Sequence, residues 1–235
     1  MDLQKIINEA INDEFKAKGI NLKEEKKVLS EGYAVQVNNY NLKTELLSEK
    51  NKKEHLGLLE GYTKNLNRVA SELEGVDKSE VNPNHSLFRS LKKDEAYNHN
   101  AVFLHSLFFE NISDLNSKIT TDSLSYMKLS RDFGSFEEWQ EDFIACALSS
   151  RNGWVVTGYN IYLGRYINSV IDLHSQDLML GMIPVIVLDC WEHSYYRDYL
   201  SNRKKYVHGM MKEFKWETIE ERFEKCELIQ KAMRK

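Results

Sequence analysis

The sequence predicts an α+β protein: an N-terminal antiparallel helical hairpin, then an α/β domain with a small antiparallel sheet of about three strands flanked by helices. Two observations carry this. Residues 48–112 place apolar side chains at helical spacing in two runs separated by a polar loop. Residues 153–189 instead hold aromatic and β-branched runs punctuated by glycine, the pattern of successive strands. Helices first and strands later is an α+β order. Three regions follow: an N-terminal extension over 1–45, a helical hairpin domain over 46–112, and a C-terminal α/β domain over 113–235.

Leu3, Ile6, Ile7, Ala10, Ile11 and Phe15 share one helical face, with Gly19 placed to end it. Residues 20–47 are polar and mixed, and the short alternation YAVQV reads equally as strand or loop. From Ser48, the residues His55, Leu58, Leu59, Tyr62, Leu66, Val69 and Leu73 form one face of a long helix. The loop EGVDKSEVNPN then turns the chain into the aromatic-rich run AYNHNAVFLHSLFFENI. RDFGSFEEWQEDFIACALS reads as a helix, GWVVTGYNIYLGRYINSVIDLH as consecutive strands, and GMIPVIVLD as a third, buried strand. The chain closes with helices, one carrying Trp216, Ile219, Phe223, Cys226 and Met233 on a single face.

A formal net charge of -4 with no basic stripe argues against a nucleic-acid partner. Cys146, Cys190 and Cys226 stand singly in apolar patterns, as reduced core residues of an intracellular protein do. The acidic N-terminus does not resemble a signal or transit peptide, and no apolar run approaches the roughly 18 residues of a membrane span. A cytoplasmic location is expected, free or within an intracellularly assembled particle.

Four of the seven histidines lie in apolar surroundings: His55, His105, His174 and His193. A lone histidine on an apolar face is usually a hydrogen-bonded core residue. Together the set says more. Asp189 and His193 follow a buried strand, and His55 and His105 sit on internal helix faces. Three neutral imidazoles and one carboxylate suit a first-row ion such as Mn or Fe, and the lack of thiolate ligands disfavours structural zinc.

Four segments, in order, resemble the iron/manganese superoxide dismutase family, with the match running from about residue 46 to the C-terminus. RDFGSFEEWQEDF resembles its D-F-G-S-F segment, RNGWVV its G-S-G-W-x-W-L segment, DCWEHSYY its D-x-W-E-H-A-Y-Y signature, and FKWETIEERF its N-W-x-x-V-x-x-R-Y pattern. The resemblance implies one Mn or Fe ion per chain. Asp189 and His193 match the signature's two ligands, and HSLFFENI, like H-x-x-F-W-x-N-L, implies His105 as another. His99 is then a solvated surface residue and the Asn98–His99 pair is out of register. HLGLLEGYTKNLN resembles H-H-x-x-H-H-x-x-Y-V-x-x-L-N, which implies His55 as the first ligand and Tyr62 as the gateway tyrosine. That segment is one residue shorter than the family's, as though a one-residue helix bulge were missing. Leu59 stands about where the family often has an outer histidine paired with the tyrosine here numbered Tyr196.

The family also places a Gln or His against the metal-bound solvent. Ala101, four residues before His105, has no group to do this, so the loop LHSQD supplies it: His174 by spacing from Asp189, with Gln176 the alternative. Trp154 and Trp191 wall the site, where plain core packing is equally served, and Phe109 replaces a frequent tryptophan. Glu192 resembles the glutamate that reaches across a dimer interface; otherwise it is a solvated loop acid. Arg203 either supports that interface or caps a helix, and Tyr196 lines the substrate funnel. The implied activity is dismutation of superoxide by a homodimer or higher oligomer, with no nucleic acid or membrane involved.

A rival reading keeps the fold as a structural or assembly protein that docks onto a larger complex through residues 1–45. Against it, four unliganded donors around one buried point would cost desolvation with nothing gained. A metal hydrolase is disfavoured because no spare glutamate or second metal site accompanies the cluster.

Overall fold

The computed structural model describes residues 35–112 and 117–233. The helix read over residues 3–15 lies outside them. Of YAVQV, residues 35–37 are described and are irregular, neither strand nor helix.

Helix α1 (Glu49–Gly75) starts where Ser48 accepts a hydrogen bond from the Asn51 amide, and it runs unbroken for 27 residues. No π-helical turn interrupts it. Leu58, read on its buried face, is exposed, whereas Thr63 is buried. Just before α1 the chain is fastened by the buried Lys52 ammonium, which donates to the carbonyls of Leu42 and Thr44. Helix α2 (Leu87–Asn111) begins nine residues before the aromatic run, because Ser86 caps it and Leu91 is already buried. His55 of α1 packs on His105 of α2 and Tyr62 on Tyr97, so the two helices run antiparallel.

The segment 131–149 is not one helix. It contains the end of α3 (Leu124–Phe133) and all of α4 (Phe136–Ser149), broken at Gly134. Gly134 has φ +103°, a conformation that side chains strongly disfavour, and the Ser135 hydroxyl accepts from the Glu138 amide to restart the helix. Strands β1 (Trp154–Asn160), β2 (Arg165–Ile171) and β3 (Met182–Asp189) form an antiparallel sheet in the order β2-β1-β3. Trp154 pairs with Ile171 on one side and Asp189 on the other. Gly153 is required just before it, since a Cβ there would collide with the Ile171 carbonyl oxygen.

Helices α5 (Glu192–Tyr199), α6 (Arg203–Met210) and α7 (Trp216–Met233) complete the chain. The predicted buried face of α7 holds from Trp216 to Cys226, but Met233 is exposed near the helix end. Two polar residues fix the hairpin to the sheet. Asn111 mimics a neighbouring strand, donating to the Val187 carbonyl at 3.0 Å and accepting from the Val187 amide at 2.9 Å. Arg222 of α7 donates to the carbonyls of Val185 and Leu107 and to Glu110. The C-terminal end of α2 is thereby pinned to β3, which sets His105 opposite the strand's last residue, Asp189. Among the described residues no helix is long and apolar enough to cross a membrane, and all three cysteines are free.

Candidate metal centre

Asp189 ends β3 and is fully buried. Its two oxygens have separate tasks. Oδ1 accepts from the Trp191 amide at 2.8 Å, which turns Oδ2 toward three imidazoles. Nε2 of His55 lies 3.0 Å from Oδ2, that of His193 3.1 Å and that of His105 3.7 Å. One donor atom from each of these four residues lies within 4.8 Å of the others. The Asp189 carbonyl is held as well, by the hydroxyls of Tyr206 at 2.7 Å and Ser194 at 3.0 Å.

The donor chemistry fits a single first-row ion. His105 Nδ1 faces the Ala101 carbonyl at 2.7 Å, and since a carbonyl only accepts, that nitrogen carries the proton and Nε2 keeps its lone pair. This Nε2 is buried with no hydrogen-bond partner. A buried polar atom so arranged is costly unless something binds it. Burial holds the His55 pKa below the ordinary histidine value and that of His105 down to about 3, against the pull of Asp189. Burial would raise the Asp189 pKa, but His193 and His55 outweigh it and hold the carboxylate ionised. Neutral imidazoles and one carboxylate, with no thiolate, suit Fe or Mn better than structural zinc.

His174 is also fully buried, with neither ring nitrogen bonded, and burial lowers its pKa to about 4. Its ring centroid lies 5.3 Å from Tyr62, 5.5 Å from Trp191 and 5.9 Å from His105. Gln176 is exposed in the same loop and does not join this group. Tyr62 packs on His105 at 5.3 Å, and burial with Tyr97 beside it raises its pKa, so the hydroxyl stays protonated. Trp154 meets His105 edge-on at 4.8 Å, Trp191 stacks on His193 at 5.9 Å, and Phe109 meets His55 at 4.8 Å.

A cleft of about 590 Å³ reaches the cluster from outside, lined by His55, Leu58, Glu192, His193 and Tyr196 among others. Leu59 is not at this surface: it is buried in the core, and Leu58 faces the cleft instead. Leu58, three residues after His55 on the unbroken helix, lines the cleft beside it. Glu192 and Tyr196 are exposed at the rim, Tyr196 by 53%. Arg203 turns inward and donates to the carbonyls of Ser150 and Arg151, while the cap of α6 is Asn202, which accepts from the Lys205 amide. His99 is exposed, and Asn98 donates to the Asp94 carbonyl. Sequence reasoning missed Tyr97, whose ring lies 4.8 Å from His174, and Asn100, which donates to the His174 carbonyl at 2.6 Å. For Tyr97 the available signal was the four-residue spacing from Tyr97 through Ala101 to His105 on one helix face.

Residues 122–222 match the family model described as iron/manganese superoxide dismutases, C-terminal domain. The chain is 32% identical over 177 residues to the iron superoxide dismutase of Aquifex aeolicus, covering 74% of this chain and 82% of that protein. It is 34% identical over 165 residues to the iron enzyme of Cupriavidus metallidurans, covering 69% and 81% respectively. To a manganese superoxide dismutase of Halobacterium salinarum it is 32% identical over 133 residues, covering 57% and 66%.

Proposed function

The chain belongs to the iron/manganese superoxide dismutase family, and from that we propose that His55, His105, His193 and Asp189 hold the single Fe or Mn ion with which it dismutes superoxide. The observation that carries the ligand set is the meeting of three imidazole nitrogens on one carboxylate oxygen, Asp189 Oδ2, at 3.0 to 3.7 Å. An ion bound there supplies electron exchange between its trivalent and divalent states, so that one superoxide is oxidised to O₂ and the next reduced to hydrogen peroxide.

The chain's own residues do the rest. The reductive half consumes two protons. Tyr62 Oη holds one beside the cluster, and the two unbonded nitrogens of His174 are free to orient solvent at the same point. Asp189, anchored through Oδ1, fixes the position and charge of the ligand set, and the His105 Nδ1 bond to Ala101 fixes that ring. Trp154, Trp191 and Phe109 pack around the ligands and keep bulk water from them. Superoxide enters through the cleft past Leu58 and Tyr196. The same rim, with Glu192 exposed, is the face we assign to a second copy in a homodimer, which fits the exposure of Tyr196 and Leu200. A cytoplasmic site of action accords with three free cysteines.

Metal analysis and superoxide dismutation assays on the wild type and on His105→Ala test this reading. One Fe or Mn per chain with activity is expected in the wild type, and loss of both in the variant. A folded wild type that stays inactive after loading with either metal would refute it.

A further inference from the structure

His174 is an oddity of its loop. Between β2 and β3 every residue from 175 to 181 is exposed, yet the His174 ring is wholly buried. The loop's own backbone bonds are few: Gln176 N–H to the Leu173 carbonyl at 3.0 Å and Met182 N–H to the Met179 carbonyl at 3.2 Å. The tie at His174 itself comes from another element. Asn100 of α2 is 74 residues away in sequence, and its Nδ2 donates to the His174 carbonyl at 2.6 Å. A carbonyl only accepts, so the amide must present nitrogen to it, and the Asn100 Oδ1 is left facing His99 Nδ1 at 3.3 Å. Three residues earlier on α2, the Tyr97 ring meets the imidazole edge-on at 4.8 Å.

We propose that Asn100 is a positioning residue: it latches the β2–β3 loop to α2, so that the helix that carries His105 also sets where the His174 imidazole stands. His105 and His174 are then fixed relative to each other by one rigid element, instead of through an exposed loop. The latch bears on the reaction only if His174 acts on solvent as proposed above, and its test separates the two.

The full-length protein loaded with iron or manganese is compared with Asn100→Ala and with Asn100→Asp, which keeps the shape but loses the donor. Hydrogen–deuterium exchange across residues 172–178 is followed together with kcat, KM and metal content. Exchange in this loop is expected to rise roughly fivefold, the change set by one lost hydrogen bond. In parallel, kcat is expected to fall roughly tenfold at unchanged KM and metal content. Wild-type exchange in both variants overturns the latch, as does a fall in kcat without faster exchange. The variant His174→Ala reports separately: if its kcat stays at wild type while Asn100→Ala still loosens the loop, the latch stands and the role given to His174 falls.

Discussion

At His105 the helix carbonyl of Ala101 takes the Nδ1 proton, so the ring is built to stay neutral with its other nitrogen bare. A neutral buried histidine has a consequence for acid stability. Burial holds His105 to about 3 and His174 to about 4, where an exposed histidine titrates near 6.5. Between roughly pH 4 and 6.5 the unfolded chain therefore binds protons that the folded chain refuses. Stability of the metal-free protein should fall with pH across this window, by about 1.4 kcal/mol per pH unit for each ring, and these rings should add no slope above it. Urea unfolding at several pH values checks this, and His174→Gln should remove one ring's share of the slope. An unchanged slope in that variant would mean that His174 titrates normally. The donors themselves were legible as residue types in apolar surroundings. Asn100 was not, because a surface amide on a helix becomes informative only when a loop 74 residues away is seen to rest on it. Nor did sequence distinguish Leu58 from Leu59, which differ by one step around a helix whose course past His55 the residues alone left open.

The strands were legible element by element, because glycine and β-branched residues alternate with turns at matching spacing over 153–189. The break between α3 and α4 was not. Aromatic residues continue at helical spacing through RDFGSFEEW, and a single glycine inside such a pattern is often tolerated. Here it is needed for its conformation, φ +103°. Gly134→Ala should therefore cost about 1 to 3 kcal/mol, the range for a side chain forced into such backbone. Thermal unfolding would show this as a lower midpoint. Activity per bound metal ion should be unchanged, since Gly134 belongs to the α3–α4 junction and the donors to α1, α2, β3 and α5. An alanine variant as stable as the wild type would show that the turn relaxes at little cost, the Glu138 side chain moving aside.

The four donors come from two distant parts of the chain, with His55 and Asp189 separated by 134 residues. An ion held there crosslinks α1, α2, β3 and α5, so its binding energy is also folding energy. No periodicity in the sequence brings these elements to one point. The resemblance to a known family implied it, and the physical cause is the pinning of α2 to β3 by Asn111 and Arg222. This separates two kinds of destabilisation. Chelation should lower the unfolding midpoint of the wild type, by the equivalent of about 2.7 kcal/mol relative to protein held at free metal of about 100 times its Kd. Asp189→Asn keeps the shape but loses the charge, and should show no such difference between metal-supplied and chelated samples. Arg222→Leu leaves two backbone carbonyls and Glu110 without their donor, and should cost about 3 kcal/mol with and without metal alike. If chelation left the wild-type midpoint unmoved, the donors would not be joined by an ion in the folded protein. If Arg222→Leu destabilised only the metal-bound form, the scaffold that aligns His105 with Asp189 would depend on the ion for its order.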